Sequence, residues 1–138
     1  MRRLPILLLA AVTLVHGQTP EAVTKLLAQA AGALSGNNLA AFVKTLDPSM
    51  PGYAKLTNEV TVLLAQAEVI SSIEIRGDKG DDNTRDLDLD WYLEINSQTP
   101  EGPSARRRQI VHCRVARRAK RWKIVALDPV AFFSPLNP

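Results

Sequence analysis

Residues 85–95 read "RDLDLDWYLEI", acidic and apolar residues taking turns for almost the whole length. A period of two belongs to a half-buried strand, because successive side chains leave the pleat on opposite sides. Leu87, Leu89, Trp91, Leu93 and Ile95 therefore share one face, and Asp86, Asp88, Asp90 and Glu94 the other. Either those carboxylates are chemistry, or they are half of an electrostatic seam whose other half lies elsewhere in the chain.

The charge distribution favours the seam. Six of the eight aspartates fall between Asp78 and Asp90, whereas nine basic residues crowd between Arg106 and Lys123. The second block, "ARRRQIVHCRVARR", alternates as well. Val111, Cys113 and Val115 share one face, and Ile110, His112 and Arg114 the other. If the two strands are neighbours, Asp86, Asp88, Asp90 and Glu94 face Arg106, Arg108, His112 and Arg114. Opposite charges across an antiparallel pair contribute about 0.2–1 kcal/mol each. A slip of one residue would push Leu89 and Trp91 into water, so pattern and charge select one register. Each buried leucine contributes about 1.5–3 kcal/mol against about 0–1 for an exposed ion pair, so the apolar face dominates.

Working outward from this strand, the period changes from 3.6 to 2 near Glu68. Upstream, Thr19-Pro20-Glu21 reads as a helix start with a capping hydroxyl and proline at the first helical position. Val23, Leu26, Leu27, Ala30 and Leu34 line one face, and Gly36 ends the helix. Asn37 or Asn38 caps a second helix that turns Leu39, Phe42, Val43 and Leu46 inward, and "LDPSMPGY" breaks it. A third helix runs from about Tyr53 to Glu68. Four strands follow over 69–76, 85–96, 105–118 and 122–127, joined by "GDKGDDN", "SQTPEGPS" and "RAKR". The expected fold class is α+β: three helices packed on one face of an antiparallel four-stranded meander.

The first residues, "MRRLPILLLAAVTLVHGQTP", have the layout of a secretory signal peptide. Arg2 and Arg3 precede a short apolar run and small residues, and the run falls short of the ~20 residues a bilayer span needs. A cut after Gly17 leaves one domain over 18–138, a secreted or periplasmic localisation and no stable membrane anchor. Without Arg2 and Arg3 the 17 basic residues become 15 against 14 acids. The basic balance is therefore no sign of a nucleic-acid partner. Cys113 is the only cysteine, so packing rather than an internal disulfide must hold the domain.

Helix, helix, a proline-broken turn, helix and a meander closing on "RWKIVALDP" resembles the nuclear transport factor 2-like superfamily. This cone-shaped fold also houses ketosteroid isomerases and polyketide-cyclase-like proteins. The resemblance rests on "AFVKTLDPSMPGY", on the paired "DLDWYLEI" and "RRQIVHCRV", and on "RWKIVAL". It implies a curved sheet whose cone holds a small apolar ligand, here lined by Phe42, Tyr53, Leu89, Trp91, Leu93, Val111, Cys113 and Trp122. Enzymatic members of the superfamily place a titrating group inside the cone. The inward strand positions of this chain are expected to carry no carboxylate, which points to a non-catalytic domain without metal or cofactor. Its partner would be an apolar ligand in the cone or a protein on the outer sheet face, a homodimer included. The alternative is a small lyase, isomerase or cyclase using Asp47, near the mouth of the cone, with Tyr53 or His112. A bulge in the third strand would be needed to turn His112 and Arg114 inward. Otherwise His112 belongs to the outer face, bonded to Asp90 or Glu94, and Cys113 is a small buried hydrophobe.

Overall fold

The computed structural model describes residues 19–136, so the leader expected over 1–17 lies outside the described residues. Three helices precede four strands: α1 Glu21–Ser35, α2 Leu39–Lys44, α3 Tyr53–Gln66, β1 Ala67–Gly80, β2 Thr84–Ser97, β3 Ser104–Arg118 and β4 Arg121–Asp128. Among the described residues no helix is long and apolar enough to cross a membrane.

The helices bury the faces their spacing selects: Val23, Leu26, Leu27, Ala30, Ala33 and Leu34 on α1, and Leu56, Val60, Leu63 and Leu64 on α3. Their ends differ from expectation in two places. Thr19 does not cap α1; its hydroxyl donates instead to Asp78 Oδ2, 2.5 Å away across the fold. Gly36 keeps an ordinary φ of −88°, and the left-handed residue that turns the chain is Asn37, at φ 54°. Asparagine tolerates that region better than other non-glycine residues do. Asn38 then caps α2 by accepting the N–H of Ala41 at 3.0 Å.

The strands form one antiparallel sheet in the order β1-β2-β3-β4. Between β2 and β3 the register runs unbroken from Thr84 opposite Ala116 to Asn96 opposite Ser104. Leu89 faces Val111, Asp86 faces Arg114 and Asp88 faces His112. Two bulges interrupt the outer ladders. On β4, Val125 is the extra residue, since Ile124 pairs with Val115 and Ala126 with Arg114. The break therefore lies in β4, and β3 keeps its facing against β2.

On β1, Ile75 pairs with Leu89 and Gly77 with Asp88, which leaves Arg76 unpaired. An extra residue reverses the in-out alternation beyond it. Asp78, opposite Leu87, consequently turns inward, where Arg85 Nε meets its Oδ1 at 2.9 Å. The side chains of Asp78 and Arg85 are only 4% and 11% exposed. This corrects the expectation of an interior free of carboxylates. One is present, and its charge is matched by an arginine and a threonine hydroxyl, as burial of an ion requires.

The chain closes by folding back. After β4 a 3-10 turn, Val130–Phe133, carries two aromatic side chains beneath the sheet. Phe133 sits edge-on to Trp91 with ring centroids 4.9 Å apart and lies 6.3 Å from Phe42, while Phe132 meets Phe133 at 5.1 Å. Tilted and edge-to-face pairs of this kind add to simple area burial. The indole N–H of Trp91 is satisfied by Ser71 Oγ at 2.9 Å.

Candidate functional site

Among the described residues, the side chains expected to line a ligand chamber are packed against one another instead. Phe42, Leu89, Trp91, Leu93 and Val111 are wholly buried and Cys113 nearly so, all within one hydrophobic cluster that Phe132 and Phe133 complete. Only Tyr53 and Trp122 of the expected lining remain half-exposed at its margins. The segment after β4 thus occupies the place assigned to a ligand. Burial also pushes the Cys113 thiol up to about 12, which leaves it a protonated, inert hydrophobe at neutral pH.

Arg107 secures this plug. It lies on the inward face of β3 between the outward Arg106 and Arg108, and donates to the carbonyls of Phe132 at 2.9 Å and Ser134 at 2.7 Å. Gln66 at the end of α3 bonds the far side of the tail, accepting the N–H of Leu136 at 2.8 Å. Sequence reading did not single out Arg107, although its odd position among three arginines was the available signal.

At the mouth of the cone lies a shallow hollow of about 390 Å³ lined by Asp47, Tyr53, Leu46, Arg118 and their neighbours. Asp47 is held there because α2 leaves along β4: Ile124 donates to the Thr45 carbonyl and accepts the Asp47 N–H, both at 2.8 Å. Its carboxylate is already engaged. Oδ1 accepts the Ser49 amide at 3.0 Å and the Ser49 hydroxyl at 2.9 Å, and Oδ2 accepts Arg118 Nε at 2.8 Å. Those bonds, the Ser49 amide foremost, hold its pKa below the ordinary carboxylate value, the wrong direction for a proton-abstracting base.

His112 lies on the other side of the sheet. Its Nδ1 is 2.6 Å from Asp88 Oδ1, so its partner is Asp88 rather than Asp90 or Glu94. Around it run Arg114 to Asp86 at 2.7 Å, Arg108 to Asp90 at 2.8 Å and, more loosely, Arg106 to Glu94 at 3.9 Å. Asp90 also takes Arg76, the residue freed by the β1 bulge, at 3.1 Å. Arg108 first and Arg76 after it hold the Asp90 carboxyl at about 2. Ile70 and Ile110 emerge on this same outer face at 54% and 42% exposure.

A larger groove, of about 910 Å³, opens on the helical side where α1 and α2 meet the β3–β4 hairpin. Lys25, Lys44, Lys120, Arg121, Trp122 and Lys123 are in its wall.

Solved structures share this architecture at low identity. A provisionally named dehydratase of the nuclear transport factor 2-like family from Streptomyces avermitilis superposes with a TM-score of 0.63 at 10% identity, covering 78% of this chain and 91% of that one. The fold is nuclear transport factor 2-like. A protein of unknown function with this fold from Shewanella oneidensis matches at TM-score 0.59 and 11% identity, over 76% and 93% of the two chains. One with a cystatin-like fold from Nostoc punctiforme matches at 0.53 and 15%, over 79% and 90%. Neither a protein-family model nor a curated protein matches the sequence. At these identities the likeness carries the nuclear transport factor 2-like architecture and no particular chemistry.

Proposed function

We propose that this chain is an exported, non-catalytic nuclear transport factor 2-like domain that associates through the outer face of its sheet, with a second copy of itself as partner. The observation that carries the reading is the filled cone: Phe132 and Phe133 pack on Trp91 where a ligand would sit. The outer face has the opposite character. A row of acids on β2 lies beside a row of bases on β3, with Ile70 and Ile110 exposed among them. A two-fold axis lying in the plane of the interface, parallel to the strands and between β2 and β3, sets each row against the opposite row of the other copy, a self-complementary arrangement. Sedimentation equilibrium of residues 18–138 should show a dimer that Ile110→Glu converts to monomer with unchanged circular dichroism. A monomer throughout the micromolar range for the unsubstituted chain defeats the proposal.

The enzyme reading retains one supporting observation. Asp47 and Tyr53 do share a hollow, a place where a substrate could meet a carboxylate and a phenol together, and two proteins of similar structure are provisionally named as dehydratases. Turnover of a steroid or polyketide-type substrate that disappears in Asp47→Asn would establish it and overturn the non-catalytic proposal.

A further inference from the structure

The groove between α1, α2 and the β3–β4 hairpin combines three features. Five cations converge on it from separate elements: Lys25 from α1, Lys44 from the end of α2, Lys120 from the hairpin turn, and Arg121 and Lys123 from β4. Its wall contains no aspartate or glutamate, and among the described residues none of the five forms an ion pair. This contrasts with the outer sheet face, where each basic row already has its acids. Lys123 is partly committed, since its ammonium donates to the Lys44 carbonyl and ties β4 to the end of α2. Amid these charges stands the half-buried ring of Trp122, with the amides of Gln29 and Asn38 along the rim.

We propose that this groove binds an anionic carbohydrate chain, one bearing carboxylate or sulfate groups. Uncompensated cations attract the acid groups, and a tryptophan ring presents a flat apolar face on which the C–H face of a sugar ring can rest. Side-chain amides suit hydroxyl groups, which both donate and accept. The open shape suits a chain laid across the surface rather than an enclosed small molecule. A single-stranded nucleic acid would find the charge but not the succession of aromatic platforms on which consecutive bases stack, for Trp122 stands alone here. The site lies on the helical side of the sheet, opposite the proposed association face, so either proposal can fail without the other.

Fluorescence makes the test direct. Trp91 is wholly buried and Trp122 is the other of the two tryptophans, so a titrant-induced change reports the groove. Residues 18–138 are titrated with polygalacturonate oligomers, a heparin-derived oligosaccharide, neutral dextran and a single-stranded oligonucleotide. The expected result is saturable binding of one or both anionic sugars, weakened by added salt, with dextran inert. The two charged sugars distinguish carboxylate from sulfate recognition. By calorimetry, Trp122→Ala and, separately, Lys120→Gln with Arg121→Gln should each weaken binding by about tenfold or more, the scale of a lost anchor contact. The control Lys55→Gln with Arg106→Gln removes equal charge elsewhere and should leave affinity unchanged. The proposal is overturned if neither anionic sugar binds, if the oligonucleotide binds as tightly as the sugars, or if the control weakens binding as much as the groove variants do. All the substituted side chains lie at the surface or half-buried, and circular dichroism verifies that each variant is folded.

Discussion

Asp90 illustrates how one side chain joins three strands. It accepts from Arg108 on β3 and from Arg76 on β1, and its pKa is held at about 2, against an ordinary 3.8. A carboxyl with a depressed native pKa stabilises the fold at pH values above the unfolded pKa. As the pH falls, the unfolded chain takes up the proton first, so this contribution disappears between about pH 4 and about pH 2. Asp90→Asn should therefore show a shallower loss of urea midpoint across that window than the unsubstituted chain, with parallel curves from pH 7 to 5. Identical slopes below pH 4 would mean that the two arginines do not act on this group. Its outward facing follows directly from the alternation in 85–95. Its link to Arg76 does not, because a bulge leaves little trace in a strand of ordinary residues.

Among the elements, β2 and β3 were the most legible because two independent signals coincide in them. The apolar alternation says which residues face the helices, and the charge rows say which strands are partners. Asp47 follows the end of α2 and shares its hollow with Tyr53. What its neighbours do to it was not visible, since Arg118 lies 71 residues away in sequence. The tail after β4 was the least legible element. "VAFFSPL" carries no periodicity over so short a length, and Arg107 looked like one more member of a solvated basic run. In the structure Arg107 supplies the tail with hydrogen-bond donors that the sheet cannot, because its neighbours there are side chains rather than a strand edge. Arg107→Leu should speed amide exchange over Phe132–Leu136 while β2 and β3 keep their protection. Equal exchange in both proteins would show that apolar packing alone holds the tail.

For the molecule as a whole, the plug decides how the space beneath the sheet is filled. Phe133→Ala removes a wholly buried ring in contact with Trp91 and Phe42, and should cost about 3–5 kcal/mol in denaturant unfolding. The cavity left behind should bind a small apolar dye such as anilinonaphthalene sulfonate that the parent chain leaves unbound. A loss below about 1 kcal/mol with no dye uptake would mean that the tail lies on the cone without filling it. By itself the sequence determined the order of elements, the inward and outward faces of β2 and β3 and the pairing of acidic with basic strand. These follow from periodicity and charge, which are local along the chain and additive across a ladder. Only the tertiary structure decided that the cone is closed by the chain's own aromatics, that Asp78 turns inward past a bulge, and that five cations from four elements meet beside Trp122. Each of these depends on where distant segments are brought together, and burial and field at a point are sums over neighbours in space rather than in sequence.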